Sequence, residues 1–585
     1  MQIVSNMGSA GKCAPSLAPT HIGLGMMGKI AVSPSSVRPR PRAMASHDAI
    51  APEKTTNYEP SVWGDFFINY RPQPLQRSEE WMRQRAKRLK MKVRTLFWTS
   101  NDVVVRMNLV DAVQRLGIGH LFKDEIRRTL NDIHQSEFTS SSLHEVALRF
   151  RLLREHGLWV SPVTFNKFKG DDGRFMNGIA DEPRGLLSLY NAAYLLVHDE
   201  PELEEAISFS RYHLKSMMQG NNLKHPLSDQ VKRALNTPLP RTSKRTETLH
   251  YLSEYGQEEG HMSILLDLAK VEFNLLQGVH LKELKAISEW WRDLNEHVEL
   301  SYLRDRVVES YTCSHMLFYE EGLAFTRITF TKIIVLIIMM DDTYDSHATI
   351  QECRKLNEAI QRWNESAVSV LPEYLKNFYH KLLNNFKEFE NQVVVSEKYR
   401  VAHAKKEFQI LSHYFLQEAE WSHNNYKPSF EEQLALSTKT STVQLLCVST
   451  TVGRGDAITN EAFMWAASST TVTSCAKIMR FMNDIASFER GKNKGEIAST
   501  VECYMNEHNI ISEVAFAKLD SLVEDEWRTI NQARCEHHQL LPVVQRVVNL
   551  AICIMFFYDK RKDAYTFSTH LQEIVRNLFI NPITM

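Results

Sequence analysis

Three carboxylates close the stretch Ile333–Asp345, IIVLIIMMDDTYD, where eight apolar residues run directly into Asp341, Asp342 and Asp345. Acidic groups at the end of a segment too apolar for a surface need a charge partner there. At helical spacing Asp341 and Asp345 are i and i+4, stacked on one face about one turn apart. Two hard oxygen ligands on one rigid face suit a divalent cation. Mg²⁺ held by one or two carboxylates takes the rest of its shell from water and substrate phosphates. The bland reading of such a DDxxD is an exposed cap or loop, and the apolar run before it weighs against that.

A bound polyphosphate needs further partners, and the chain offers Arg480-Phe-Met-Asn483-Asp484-Ile-Ala-Ser487. Asn483 and Ser487 are again i and i+4, presenting an amide oxygen and a hydroxyl. Arg480, one turn earlier, is placed to clamp a phosphate oxygen. Alone this segment also reads as a helix cap. Arg304-Asp-Arg306 precedes the acid cluster and alone reads as a surface ion-pair patch. Together the three elements describe a cavity with cation ligands on two walls and guanidinium groups at its mouth, a device for pulling off a diphosphate leaving group.

Helices must position these groups. Apolar residues recur at three and four through Glu79–Leu96, Leu186–Leu196, Leu203–Met218 and Leu281–Leu294, whereas period-two runs are scarce, so the fold class is all-α. Length suggests more than one domain. Breakers at His225-Pro226 and Thr237-Pro-Leu-Pro240 set the boundary between there and about Gly260. The N-terminal half has no DxDD and no comparable acid cluster, which makes it a scaffold. A formal charge of -1, a pI near 7.1 and no basic stripe exclude nucleic acid as an expected partner. The eight cysteines lack finger or CxxC spacing, so a reducing compartment fits. The longest apolar runs, Ile333–Met340 and Leu550–Phe557, are short for a membrane span. The first 47 residues contain no Asp or Glu and are rich in Ser, Gly and Pro, like an organellar transit peptide; the alternative is a start at Met44.

Arg304-Asp-Arg306, Asp341-Asp-Thr-Tyr-Asp345 and Asn483-Asp-Ile-Ala-Ser487, in this order and separation, resemble a class I plant terpene synthase. The resemblance runs from Asn57-Tyr-Glu-Pro-Ser-Val-Trp63 through Trp290-Trp291 to Tyr558, Asp563 and Tyr565. It implies an N-terminal α-barrel scaffold over 57–255 and a C-terminal class I isoprenoid synthase helical bundle over 256–585, after the transit-peptide-like or dispensable leader that composition marks over 1–47. It further implies three Mg²⁺ ions, with Mn²⁺ as an alternate, held by Asp341, Asp342, Asp345, Asn483 and Ser487. Arg304, Arg306 and Arg480 would join Asp341, Asp345 and Asn483 in gripping the diphosphate of a prenyl substrate. Tyr558, Asp563 and Tyr565 would belong to the catalytic pocket in which the carbocation rearranges; without the other motifs, both tyrosines would read as core packing. A monomer acting on a small-molecule prenyl diphosphate is expected.

Two positions depart from the family pattern. Cys313 stands where a Trp is usual, seven residues after Arg306, and removes a cation-stabilising face. Gly491 stands where a Glu usually completes the second metal motif, so the third ion loses its anionic side-chain ligand unless Glu489 or Glu496 is recruited. Reduced activity, or dependence on high Mg²⁺ or on Mn²⁺, is the expected consequence. Glu53 and Lys54 occupy positions where plastid monoterpene cyclases carry paired arginines, which favours farnesyl over geranyl diphosphate, while the leader favours a plastid over the cytoplasm that a start at Met44 implies. The alternatives are a monoterpene synthase using geranyl diphosphate and a catalytically impaired relative. A trans-prenyltransferase would need a second DDxxD, which Asn483–Ser487 is not.

Overall fold

The computed structural model describes residues 59–72, 76–490 and 499–585; the leader-like first 47 residues, Glu53, Lys54, Asn57, Gly491 and Glu496 lie outside them. Among the described residues the chain is built of helices and turns, with one isolated β-bridge between Lys169 and Phe175. Helices Glu79–Thr99, Pro183–Ala193 and Pro201–Gln219 form where the apolar residues recur. Ser78 opens the first by accepting the Trp81 amide. Proline opens the other two, where its missing N–H leaves no bond unmade.

Two large apolar cores result. The N-terminal one gathers residues from Leu89 to Phe273, and the C-terminal one residues from Leu284 to Phe579 together with Trp63 and Phe67. A 36-residue helix, Ser263–Val298, serves both and spans roughly 54 Å. Its Leu265, Leu268 and Phe273 pack in the first core, and its Leu284, Ile287 and Trp291 in the second. Across the junction Arg241 donates two bonds to Glu524, at 2.7 and 2.8 Å.

The segments 321–347 and 538–561 are long and apolar enough to cross a membrane by composition, but most of each is buried inside the protein. They are core helices. In the first, Ala324–Asp342 is buried on nearly every side, which is why its sequence shows no polar face. The α-helix ends at Asp342, and Thr343–His347 forms a π turn. The uniform α-helical spacing expected through the acid cluster is therefore broken within it, and π turns recur at functional sites. Carboxylates at a helix C-terminus also oppose the macrodipole, so the acid cluster is poised for a positive partner.

Opposite stands helix Thr470–Glu489, capped by Ser469, which carries Arg480, Asn483 and Ser487. Between Phe430–Thr440 and Val443–Ser449 the chain breaks at Ser441 and Thr442. Thr442 adopts φ 70°, the left-handed region that a β-branched residue rarely enters.

Candidate active site

A cavity of about 360 Å³ separates the two walls. Arg304, Asp341, Asp345, Arg480, Asn483, Ser487, Tyr558, Asp563 and Tyr565 all line it, while Ile334, Ile337, Leu446, Leu550 and Ile554 form its apolar part. The structure thus brings together nine of the expected residues around one cavity that has both polar and apolar lining. A larger cleft of about 1380 Å³ opens between N-terminal helices and the C-terminal segment 555–574 and contains none of them. Four of its five arginines are already committed: Arg115 to Glu247, Arg151 to Asp111, Arg233 to Glu254 and Arg241 to Glu524.

On the first wall the Arg304 guanidinium pairs with Asp341 and with Asp342, each at 2.6 Å, and the Arg304 amide donates to Asp342 at 2.8 Å. Asp341 is part-exposed and Asp345 exposed, so both carboxylates face the cavity. Asp342 does not. It is wholly buried behind the wall, where burial pushes its carboxyl up to about 6 despite the opposing pull of Arg304. Its role here is to fix Arg304.

Arg306 also stands apart. Its guanidinium is buried, donates twice to the Thr566 carbonyl at 2.6 and 3.1 Å, and reaches the Glu59 carbonyl at 2.8 Å. All of these acceptors are backbone groups, so Arg306 clasps the segment that carries Asp563 and Tyr565 instead of lining the cavity. Glu309, one turn on, is fully buried, and burial pushes its carboxyl up to about 7 against the charge of Arg306. A raised pKa means the unfolded chain ionises first, so stability falls as pH rises from about 4.5 to 7 and the loss is complete above that. The loss amounts to about 3 kcal/mol. Urea unfolding at pH 5 and pH 8 is expected to show this difference in the wild type, and Glu309→Gln is expected to remove it.

On the second wall Arg480 donates to Asp484 at 2.6 Å. Burial works against its charge, but Asp484 and Glu418 hold it well above its ordinary value. The Asn483 amide nitrogen donates to the Tyr558 hydroxyl at 2.8 Å, so Tyr558 fixes a motif residue as well as forming a wall. The Tyr565 hydroxyl lies 2.8 Å from that of Ser310. The Thr566 amide and Arg490 keep Asp563 below the usual carboxylate range despite its burial. Glu489, a suggested substitute ligand, instead pairs with Arg561 at the surface, at 3.3 Å.

Three features were not anticipated. Glu418 lines the cavity and accepts from Thr440 at 2.7 Å, and burial pushes its carboxyl up to about 7 although Arg480 opposes the shift. A single Glu in an amphipathic helix carries no sequence signal. The helix break at Ser441–Thr442 borders the cavity, and the polar run Ser437–Thr442 was its only trace. Cys313 and Cys553 place their sulfurs 3.1 Å apart on the cavity wall.

Among the described residues no three of His, Cys, Asp and Glu converge as a ready-made metal cage. Asp341 and Asp345 nevertheless fit Mg²⁺, which accepts two carboxylates and completes its shell from water and phosphate. The second wall fits less well, because the Ser487 hydroxyl already accepts from Arg490 at 3.0 Å.

Comparison with known proteins identifies the family. The sequence model described as the terpene synthase N-terminal domain matches residues 62–235, and that of the terpene synthase metal binding domain matches residues 292–529. The chain is 49% identical to alpha-copaene synthase of Zea mays, over 90% of this chain and 99% of that one. It is 48% identical to tau-cadinol synthase of the same plant, over 90% and 98%. Isoprene synthase of grey poplar, Populus x canescens, solved with three Mg²⁺ ions and dimethylallyl-S-thiolodiphosphate, superposes with a TM-score of 0.79 at 29% identity, covering 86% of this chain and 97% of that one. With both domains matched and a curated relative covered almost end to end, the chain belongs to the terpene synthase family, enzymes that act as diphosphate lyases.

Proposed function

We propose that this terpene synthase ionises a prenyl diphosphate, with farnesyl diphosphate favoured, in a Mg²⁺-dependent reaction that releases diphosphate and converts the carbocation to a sesquiterpene. The observation that carries the reading is the polarity split of one cavity: Asp341, Asp345, Arg304 and Arg480 at the mouth and aliphatic side chains below. The similarity to alpha-copaene and tau-cadinol synthases supports a C15 substrate.

Divalent ions bound through Asp341 and Asp345 would supply the charge neutralisation that makes diphosphate a competent leaving group without a protein acid. The remaining work falls to the chain. Arg304 and Arg480 present guanidinium N–H groups to the diphosphate and keep it from returning to the cation. Phe557, Tyr558 and Tyr565 line the cavity, where their rings would offer π faces to the carbocation and exclude water. Asp563, held ionised by Arg490 and the Thr566 amide, lines the same cavity.

Incubation of the purified chain with Mg²⁺ and either farnesyl or geranyl diphosphate, followed by analysis of volatiles, is expected to give C15 hydrocarbons or alcohols from the former at the higher kcat/KM. A higher kcat/KM for geranyl diphosphate would reassign the substrate, and chain-elongated diphosphates would refute the reading.

A further inference from the structure

Arg490 closes the second wall, and its contacts bear on what that wall can hold. Its Nη2 donates to the Ser487 hydroxyl at 3.0 Å and its Nη1 to Asp563 at 2.7 Å, while the guanidinium lies over the Phe567 ring at 5.1 Å. Three contacts on three sides fix its position. Its Nε is buried with no hydrogen-bond acceptor, and the residue lines the cavity. A buried, uncommitted donor on a permanent cation needs an anion or water to satisfy it.

Among the described residues, the same wall is poor in groups that would welcome a metal. Asp484 gives one oxygen to Arg480 and the other to the amide and hydroxyl of Thr500. Asp563 is engaged by Arg490 and the Thr566 amide. Glu489 faces Arg561. The position at which the family pattern has its carboxylate is Gly491. A divalent ion on the Ser487 oxygen would stand beside a fixed positive charge, with no free carboxylate among the described residues of this wall to offset the repulsion.

We propose that Arg490 takes the place of the metal ion on this wall, so that the diphosphate is held by divalent cations on the Asp341/Asp345 side only and by the Arg490 guanidinium opposite. The inference rests on the prenyl diphosphate reading and refines it. A guanidinium cannot exchange ligands as a metal does, but it offers a planar fork suited to phosphate oxygens and carries its charge at any metal concentration. It also ties the diphosphate to Asp563, because both anions draw on the same guanidinium.

Counting Mn²⁺ bound per chain by electron paramagnetic resonance, in the presence of inorganic diphosphate, is the direct test. Two ions are expected for the wild type. In the double variant Arg490→Val/Gly491→Glu, which removes the cation and supplies a carboxylate, a third is expected. Isothermal titration of diphosphate at fixed Mn²⁺ is expected to show about 10- to 100-fold weaker binding for Arg490→Met, the range of a lost charge-assisted hydrogen bond. Three Mn²⁺ on the wild type, or unchanged diphosphate affinity in a folded Arg490→Met protein, would overturn the proposal and leave the prenyl diphosphate reading standing. Failure of the wild type to bind any Mn²⁺ with diphosphate would sink both.

Discussion

Asp341→Asn is expected to lower kcat/KM for the prenyl diphosphate by at least about a thousandfold while the protein stays folded. Cation-assisted departure of a phosphate is worth several kcal/mol, and each 1.4 kcal/mol is a factor of about ten in rate. Asp341 is the part-exposed carboxylate that faces both the cavity and Arg304, so its charge is used at the site and little in the core. Asp342→Asn should behave differently. Asp342 is wholly buried and holds the Arg304 backbone and guanidinium, so its loss frees an arginine rather than removing a cation ligand. Its expected signature is weaker diphosphate binding together with a stability loss of about 1–3 kcal/mol. Mn²⁺ affinity, measured without substrate, separates the two variants: it falls for Asp341→Asn and holds for Asp342→Asn. Equal loss of Mn²⁺ affinity in both would contradict the division of labour between these neighbours.

The sequence made the fold class plain because apolar periodicity is a local property, and Glu79–Thr99 and Pro201–Gln219 lie where it repeats. It also revealed Asp341 and Asp345, since an acid pair after eight apolar residues has few explanations. Direction was harder to read. Asp341 and Asp342 are adjacent, and only packing decides that one faces the cavity and the other the interior. The π turn at Thr343–His347 is not written in any residue type, and Glu418 belongs to the site only because its helix happens to pass Arg480. The second wall shows the same limit. Asn483 and Ser487 were legible as a donor pair, yet their partners, Tyr558 and Arg490, come from a remote segment and from a position the pattern does not mark.

Arg306→Met is expected to destabilise the protein by about 3–5 kcal/mol and to degrade the product profile while leaving Mn²⁺ affinity intact. The reason lies in its acceptors. Nε and Nη2 both end on the Thr566 carbonyl, Nη2 also reaches Glu59 and Nη1 reaches Asp305. Methionine fills similar space and makes none of these bonds, so the Thr566 carbonyl loses two charged donors at once. Thr566 is also the residue whose amide holds Asp563, and Tyr565 beside it is tied to Ser310. Loosening this segment therefore loosens one side of an apolar cavity in which a carbocation must avoid water. The measurable result is a lower denaturation midpoint together with a larger fraction of hydroxylated products. An arginine that gripped the diphosphate directly would give another pattern: weaker diphosphate binding, normal stability and an unchanged ratio of alcohol to hydrocarbon. Unfolding and product analysis on the one variant therefore decide between a clasp on the backbone and a clamp on the leaving group.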